Sequence, residues 1–180
     1  MADIDGAPHH ILTVVVENKP GVLARISGLF SRRAFNIYSL AVSPTDDPLF
    51  SRMTIVVDLT DTSLEQVIKQ LNKLINVIKI SEIAPSDSVE RELMLVTVGG
   101  GMQTRSDITE LAAIFEAKIV DVGFDSLTVM VAGSPEKIDA MEDLLRPYGI
   151  LELQRTGRIA LPRLAREQSA KVRPIQRRPA

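Results

Sequence analysis

The residues best suited to bind a small molecule follow the first apolar run of the chain. That run, residues 11–16, predicts a strand, and the segment Glu17-Asn18-Lys19-Pro20-Gly21-Val22-Leu23 comes directly after it. Pro-Gly predicts a tight turn, and the helical spacing of apolar residues from Val22 onward predicts a helix N-terminus. Such a terminus offers unpaired amides and a partial positive charge, which suit a carboxylate. Asn18 adds an amide that can donate to a carboxylate or accept from an ammonium group, so the segment could hold a free amino acid.

A purely structural role explains the same residues. Asn18 could cap the helix while Pro20 and Gly21 form the turn. The local sequence leaves both interpretations open.

Groups suited to catalysis are few. The chain has no cysteine, and its two histidines, His9 and His10, are adjacent, so a strand would point them to opposite faces. Gly99-Gly100-Gly101 lacks the Lys-Ser/Thr ending of a phosphate-binding loop. We interpret it either as a flexible connector or as a loop that binds a ligand. Thr45-Asp46-Asp47 is a poor cation site, and we interpret it as an exposed hairpin tip that could contact a partner protein. We expect a non-enzymatic chain with no catalytic residue, metal or cofactor of its own.

Composition predicts a soluble globular protein: 45% of the 180 residues are apolar and 24% are charged. No apolar run approaches the roughly 18 residues of a membrane span, and no signal-peptide pattern is present, so we expect a cytoplasmic protein without membrane contact. Residues 1–161 carry a net charge of −7 and residues 162–180 one of +5, which sum to the −2 of the whole chain. We interpret 162–180 as a basic, disordered tail and expect no nucleic-acid partner.

Alternating strand and helix periods predict a βαββαβ unit that occurs twice, the split-βαβ or ferredoxin-like order of the α+β class. In the first unit we predict strands at 10–17, 36–43, 50–58 and 77–83, with helices at 21–33 and from Thr62. In the second we predict strands at 90–98, 119–124, 126–132 and 149–156, with helices at 107–117 and from Ser134. The predicted domains are an N-terminal extension (1–8), the first unit (9–84), a linker (85–89), the second unit (90–161) and the tail (162–180).

Topology adds a constraint to the candidate site. In a βαββαβ unit, Gly21 follows the first strand, whereas Asn36 begins the second strand after the helix has run back. The two lie at opposite ends of the sheet, about 15–20 Å apart for a strand of five or six residues. A two-fold dimer could place Asn36 and Ile37 of one subunit against the Gly21 loop of the other. We therefore expect a homodimer, which would also cover sheet edges of these small units.

Two stretches of sequence resemble a known family. The first is H-I-L-T-V-V-V-E-N-K-P-G-V-L-A-R-I, and the second is F-N-I-Y-S-L-A-V-S-P-T-D-D-P-L-F-S-R-M-T-I-V-V. Together with the later V-E-R-E-L-M-L-V-T-V, they are similar to the small regulatory subunit of acetolactate synthase (acetohydroxyacid synthase). The resemblance covers residues 10 to about 160. It implies that the first unit is an ACT domain and the second is the family's C-terminal ferredoxin-like domain.

The resemblance also implies a function and a site. The family binds a branched-chain amino acid, usually valine, between two ACT domains; carried over, the ligand-binding residues are Asn18, Gly21, Val22 and Leu23 of one subunit and Asn36 and Ile37 of the other. The family's large catalytic subunit is a separate chain that holds thiamine diphosphate, Mg²⁺ and FAD. The small subunit activates it in branched-chain amino acid biosynthesis and transmits feedback inhibition. The alternative is a stand-alone ACT-type amino-acid sensor that acts on another protein.

Overall fold

The first half of the chain folds into an antiparallel sheet with two helices packed on one face. The structure is a computed structural model that describes residues 9–58, 61–101 and 104–164. The sheet has the strand order β2-β3-β1-β4. The elements of this first unit are β1 (His9–Glu17), α1 (Val22–Ser31), β2 (Ile37–Pro44), β3 (Phe50–Asp58), α2 (Asp61–Leu71) and β4 (Val77–Ile83).

Side-chain alternation along β1 determines which face of the first sheet the helices cover. Leu12, Val14 and Val16 point into a core shared with both helices, whereas Ile11 lies on the other face. Helix α1 buries apolar side chains at the spacing of one helical face: Val22, Ile26, Leu29 and Phe30. The core therefore lies between the sheet and its two helices, as the sequence pattern predicts.

The second half repeats the architecture with an additional strand. Its elements are β5 (Ser88–Gly99), α3 (Arg105–Ile114), β6 (Lys118–Val122), β7 (Ser126–Gly133), α4 (Pro135–Leu145), β8 (Ile150–Arg155) and β9 (Ile159–Pro162). The strand order is β6-β7-β5-β8, and β9 pairs with the beginning of β5. The prediction of two tandem ferredoxin-like units is confirmed. Among the helices of the described residues, none is long and apolar enough to cross a membrane.

Strand β9 was not predicted from the sequence, where the last predicted strand of the second unit ends at residue 156. Its four residues, Ile159–Pro162, pair antiparallel with Ser88–Arg91, so β5 begins inside the predicted linker. A four-residue strand whose partner lies about 70 positions earlier gives no local pattern strong enough to identify it. Pro162 belongs to this strand, and the predicted disordered tail beyond Leu164 lies outside the described residues.

The β5–β9 ribbon packs on the face of the first sheet that the helices leave open. Ala160 of β9 is 3% exposed and forms a small apolar cluster with Ile11 and Val56. The amide of Arg158 donates to Ser39 Oγ of β2 at 2.7 Å. The second unit is thereby attached to the outer face of the first.

Paired buried charges hold the start of this ribbon in one orientation. Glu92, which is 6% exposed, accepts from Arg155 Nη2 at 2.6 Å and from Arg158 Nε at 3.0 Å. Arg158 also contacts Glu90 at 3.1 Å. Burial alone would lower the pKa of Arg155, but the hydrogen bonds that Arg155 donates to the carboxylates of Glu92 and Asp139 outweigh burial and raise that pKa. Arg155 therefore keeps its charge, and the network orients the chain segment that reaches β2.

Gly157 is required where the two units come closest. A Cβ added there would lie 2.1 Å from the carbonyl oxygen of Leu40 and 2.8 Å from the amide nitrogen of Ala41, both backbone atoms of β2. We expect Gly157→Ala to lower the free energy of unfolding by about 1–3 kcal/mol, because the backbones must move apart. Urea unfolding measures the change.

The matched control for this change is Gly101→Ala, since a Cβ at Gly101 meets no atom within 4 Å. Its effect should stay within about 0.5 kcal/mol. Equal stability of the two variants would contradict the close approach of the units at Gly157.

Candidate functional site

Gly21 forms the corner between β1 and α1. It is the N-cap of α1 with φ 82° and ψ −5°. This left-handed backbone conformation costs free energy for residues other than glycine. Its carbonyl accepts from the Arg25 amide at 3.1 Å, which is the first hydrogen bond of the helix. A Cβ at this position would meet open space, so the backbone conformation, not crowding, requires glycine here.

Asn18 holds the loop before this corner, residues 18–21, which we call the Asn18 loop. Its Nδ2 donates to the carbonyl of Pro48 at 3.0 Å, and its amide donates to the carbonyl of Leu49 at 2.8 Å. Helix α1 has no side-chain cap, so the interpretation of Asn18 as the helix cap is wrong. The side-chain oxygen of Asn18 makes no hydrogen bond within the described part of the chain, which leaves an acceptor beside the corner.

Asn76 holds the strand end before the Asn18 loop and the helix after it. Its carbonyl accepts from the Glu17 amide at 2.9 Å, and its Nδ2 donates to Glu17 Oε2 at 2.5 Å. Arg25 Nη1 of α1 donates to Asn76 Oδ1 at 2.8 Å. Asn76, Pro48 and Leu49 were not among the predicted residues of the site. An Asn before a strand signals a turn, but nothing local shows which distant atoms it contacts.

The corner has backbone donors without an acceptor in the part of the chain that the structure describes. The Val22 amide lies 3.4 Å from the Lys19 carbonyl, a long hydrogen bond, whereas the amides of Gly21 and Leu23 have no acceptor among the described residues. The Val22 side chain is buried in the core, and the Leu23 side chain is 43% exposed. The arrangement can therefore bind an anion through amides, with Leu23 as the adjacent aliphatic surface.

Asn36 and Ile37 lie at the far end of the same sheet. Ile37 pairs with Val57 of β3, whereas Glu17 pairs with Phe50 of that strand. Phe50 and Val57 are seven residues apart on β3, so Glu17 and Ile37 are about 23 Å apart along the strand direction. Within one chain the six predicted ligand-binding residues thus form two groups at opposite ends of the sheet. One group is Asn18, Gly21, Val22 and Leu23, and the other, which we call the Asn36 group, is Asn36 and Ile37.

The Asn36 group borders the second unit. A cleft of about 490 Å³ is lined by residues 36–40 on one side and by Glu92, Arg155 and Gly157, among others, on the other. The Ile37 side chain packs partly against the first core, and Asn36 is exposed. Because Arg155 is already paired with Glu92 and Asp139, this cleft is not an open anion site. A ligand at Asn36 would lie next to the contact between the two units.

The two histidines pair with acidic residues of different strands. His9 pairs with Asp58 of β3, and its ring lies 4.6 Å from that of Tyr38 at a tilt of 39°, whereas His10 pairs with Glu82 of β4 at 3.2 Å. Across residues 9–58, 61–101 and 104–164 there is no group of three or more His, Cys, Asp and Glu that could hold a metal ion.

Comparison with known proteins gives a consistent result over both units. Residues 12–79 match the model of an AHAS small subunit-like ACT domain, and residues 91–164 match that of the small subunit of acetolactate synthase. The chain is 54% identical over 159 residues to the acetolactate synthase small subunit of Mycolicibacterium smegmatis, covering 88% of this chain and 94% of that protein. It is 56% identical over 154 residues to the probable acetolactate synthase small subunit of Archaeoglobus fulgidus, covering 86% and 96%.

A solved structure agrees with these relatives. The crystal structure of the acetolactate synthase small subunit from Thermotoga maritima superposes with a TM-score of 0.82 at 36% identity. The alignment covers 88% of this chain and 99% of that one.

The support from Asn76 can be tested through the titration of Glu17. The pKa of Glu17 is lowered, first by the hydrogen bond from Asn76 and then by that from Lys19. Asn76→Ala should raise this pKa toward the ordinary value for glutamate, as measured by the carboxyl chemical shift in an NMR titration. Lys19→Gln is the control and should raise it less. An unchanged Glu17 pKa in the Asn76 variant would show that the contact does not exist in solution.

The lowered pKa of Glu17 also predicts that the loss of stability in Asn76→Ala depends on pH. A folded-state pKa below the unfolded one stabilises the fold above the unfolded pKa, and this contribution disappears as the pH falls through the folded pKa. Asn76→Ala should therefore lower the free energy of unfolding more at pH 7 than below about pH 4, because the contribution of ionised Glu17 is lost at low pH. Urea unfolding at the two pH values measures the difference.

Proposed function

We propose that this chain, which belongs to the acetolactate synthase small-subunit family, activates the catalytic subunit of that enzyme and makes it sensitive to valine. The observation that carries the proposal is the corner beside the Asn18 loop, where backbone amides and the Asn18 amide oxygen have no hydrogen-bond partner among residues 9–58, 61–101 and 104–164. The catalytic subunit would supply the thiamine diphosphate, Mg²⁺ and FAD. This chain would contribute feedback control in branched-chain amino acid biosynthesis.

The groups at the corner match the two charged ends of an amino acid. The ligand carboxylate would accept from the Gly21 and Leu23 amides, helped by the positive end of the α1 dipole. The ammonium group would donate to Asn18 Oδ1, because the Asn18 amide nitrogen already donates to Pro48. The aliphatic side chain would lie against Leu23. Val22 would contribute its backbone, since its side chain is buried.

A second chain would complete the site. The Asn36 group lies about 23 Å from the Glu17 level of the same sheet, so one chain cannot place both groups on one ligand. A two-fold axis perpendicular to the strands, beside outer strand β2, exchanges the two ends of the sheet. It would bring Asn36 and Ile37 of one chain to the Gly21 corner of the other, which gives two ligands per dimer.

This arrangement supplies a route from ligand to regulation. Asn36 and Ile37 are followed on β2 by Ser39, whose hydroxyl accepts from the Arg158 amide of the second unit. A ligand held across the dimer would bias how the two chains and their second units are oriented. A coupling free energy of about 1–3 kcal/mol is enough for feedback inhibition.

Gly21→Asp tests the carboxylate position. It places a negative charge beside the ligand's carboxylate, and we expect valine inhibition to be lost while activation of the catalytic subunit is retained. Gly21→Asn is the matched control, since asparagine has the same shape without the charge and tolerates a left-handed backbone. Calorimetric valine titration of the small subunit, with assays of the reconstituted enzyme, measures both properties. Valine heats that are unchanged in the Asp variant would refute this placement.

Mixing two defective variants tests whether the site is shared. Gly21→Asp and Asn36→Ala should each bind valine weakly as homodimers. In a mixed dimer, one site receives both changes and the other receives neither, so mixing should restore valine binding. Random assortment at equal amounts gives about one quarter of the wild-type number of sites, measured as calorimetric stoichiometry. A mixture that binds no more valine than its components would place each site within one chain.

A further inference from the structure

Asn76 makes hydrogen bonds on both sides of the Gly21 corner. Before the corner, its backbone carbonyl accepts from the Glu17 amide at 2.9 Å, and its Nδ2 donates to Glu17 Oε2 at 2.5 Å. After the corner, its Oδ1 accepts from Arg25 Nη1 of α1 at 2.8 Å. Among the residues that the structure describes, no other side chain bonds to both Glu17 and Arg25.

The two side-chain partners of Asn76 carry opposite charges. Glu17 accepts through a carboxylate, and Arg25 donates through a guanidinium. A carboxamide offers a donor and an acceptor at the same time, whereas an ionised carboxylate in its place could only accept and an aliphatic side chain could do neither. The residue type at position 76 therefore matches this pair of neighbours.

The helix that begins at the corner has no cap of its own. Helix α1 lacks a side-chain cap, and no acidic residue lies in its first turn. The Gly21 carbonyl accepts from the Arg25 amide at 3.1 Å, so the orientation of the peptide unit after Gly21 depends on where Arg25 lies. Contacts that fix Glu17 and Arg25 therefore limit the positions that the Gly21 and Leu23 amides between them can take.

We propose that Asn76 is a positioning residue of the amino-acid site at the Gly21 corner. The inference rests on the proposed function and deepens it, because it names a determinant of ligand affinity that does not contact the ligand. Asn76 holds the Gly21 and Leu23 amides in the arrangement that a carboxylate needs before the ligand arrives. Donors that are already in place bind an anion more tightly, since less conformational freedom is lost on binding.

The place of Asn76 in the fold separates it from the half of the site that a second chain contributes. Asn76 directly precedes β4, which is the edge strand opposite β2. The proposed two-fold axis lies beside β2. A change at Asn76 therefore acts on the Gly21 corner of its own chain and leaves the Asn36 group of the second chain as it is.

Asn76→Asp tests this role with a charge that pH can remove. At about pH 7.5 the new carboxylate faces the carboxylate of Glu17 and repels it, so we expect the Kd for valine to rise about tenfold above that of wild type. Two carboxyl groups this close share a proton at lower pH, and the shared proton gives position 76 a donor to Glu17 again. At about pH 5 the Kd should therefore return to within about threefold of wild type.

Calorimetric titration of the full chain with valine at both pH values measures the ratio of variant to wild type. Valine keeps its carboxylate and its ammonium group over this range. Lys19 and Arg25 are the other charged side chains in contact with Glu17 or Asn76, and lysine and arginine side chains do not titrate there. Comparison with wild type at the same pH removes any effect of the two histidines, which lie at the other end of β1.

Two further variants separate positioning from a general disturbance of the fold. Asn76→Ala removes both side-chain hydrogen bonds without adding a charge, and we expect its Kd for valine to be about fivefold above wild type at both pH values. Asn72→Asp is the matched control, because it introduces the same charge at an exposed position four residues earlier. Its Kd should stay within about twofold of wild type at both pH values.

The outcomes separate the positioning role from the function it serves. Wild-type affinity in both Asn76 variants would overturn the role of Asn76. A loss of affinity in Asn76→Asp that is equal at the two pH values would overturn it also, because the contact with Glu17 would then not control the site. Either result leaves the proposed function intact, since the wild-type chain still binds valine. A wild-type chain that binds no valine at either pH would overturn the proposed valine site itself, and the positioning role with it.

Discussion

The register of β1 between β3 and β4 is the constraint on which the candidate site depends. Nine consecutive residues of β1 pair with β3, from His9 opposite Asp58 to Glu17 opposite Phe50. This pairing brings the end of β1 next to the loop before β3, and pairing with β4 brings it next to Asn76. A shift by one residue would move the core side chains Leu12, Val14 and Val16 to the outer face, so burial keeps the register unique. The contacts that hold the Asn18 loop follow from that register.

The outer face of the first sheet is used for attachment of the second unit. An open antiparallel sheet commonly leaves one face to solvent, but here Ala160 of β9 covers Ile11 and Val56. The contact needs a glycine at 157, where two backbones meet, and it continues into the buried pairs of Glu92 with Arg155 and Arg158. Buried ion pairs contribute little net stability, but an unpaired partner would be costly, so they favour one orientation. The two units are thus connected by these contacts in one defined arrangement.

The sequence predicted most of the fold because its core pattern is local. Helix α1 was identified from apolar side chains at the spacing of one helical face, and β3 was predicted with the bounds that the structure has, residues 50–58. Strand β9 was missed because its pairing with Ser88–Arg91 is not local. At the candidate site, Gly21 was identified by its turn, but Asn18 was open to a capping role that the structure excludes. Its actual partners, Pro48 and Leu49, are thirty positions away.

By itself, the sequence determined the two βαββαβ units, the Pro-Gly corner at the start of α1 and the separation of Gly21 from Asn36 along the chain. These follow from periodicity and turn chemistry, which act between residues a few positions apart. Only the tertiary structure decided which atom of Asn18 remains available and which loops flank it. It also decided that Asn36 borders the second unit. Those features depend on strand register and on packing between units, where residues far apart in sequence exclude water together and satisfy each other's hydrogen bonds.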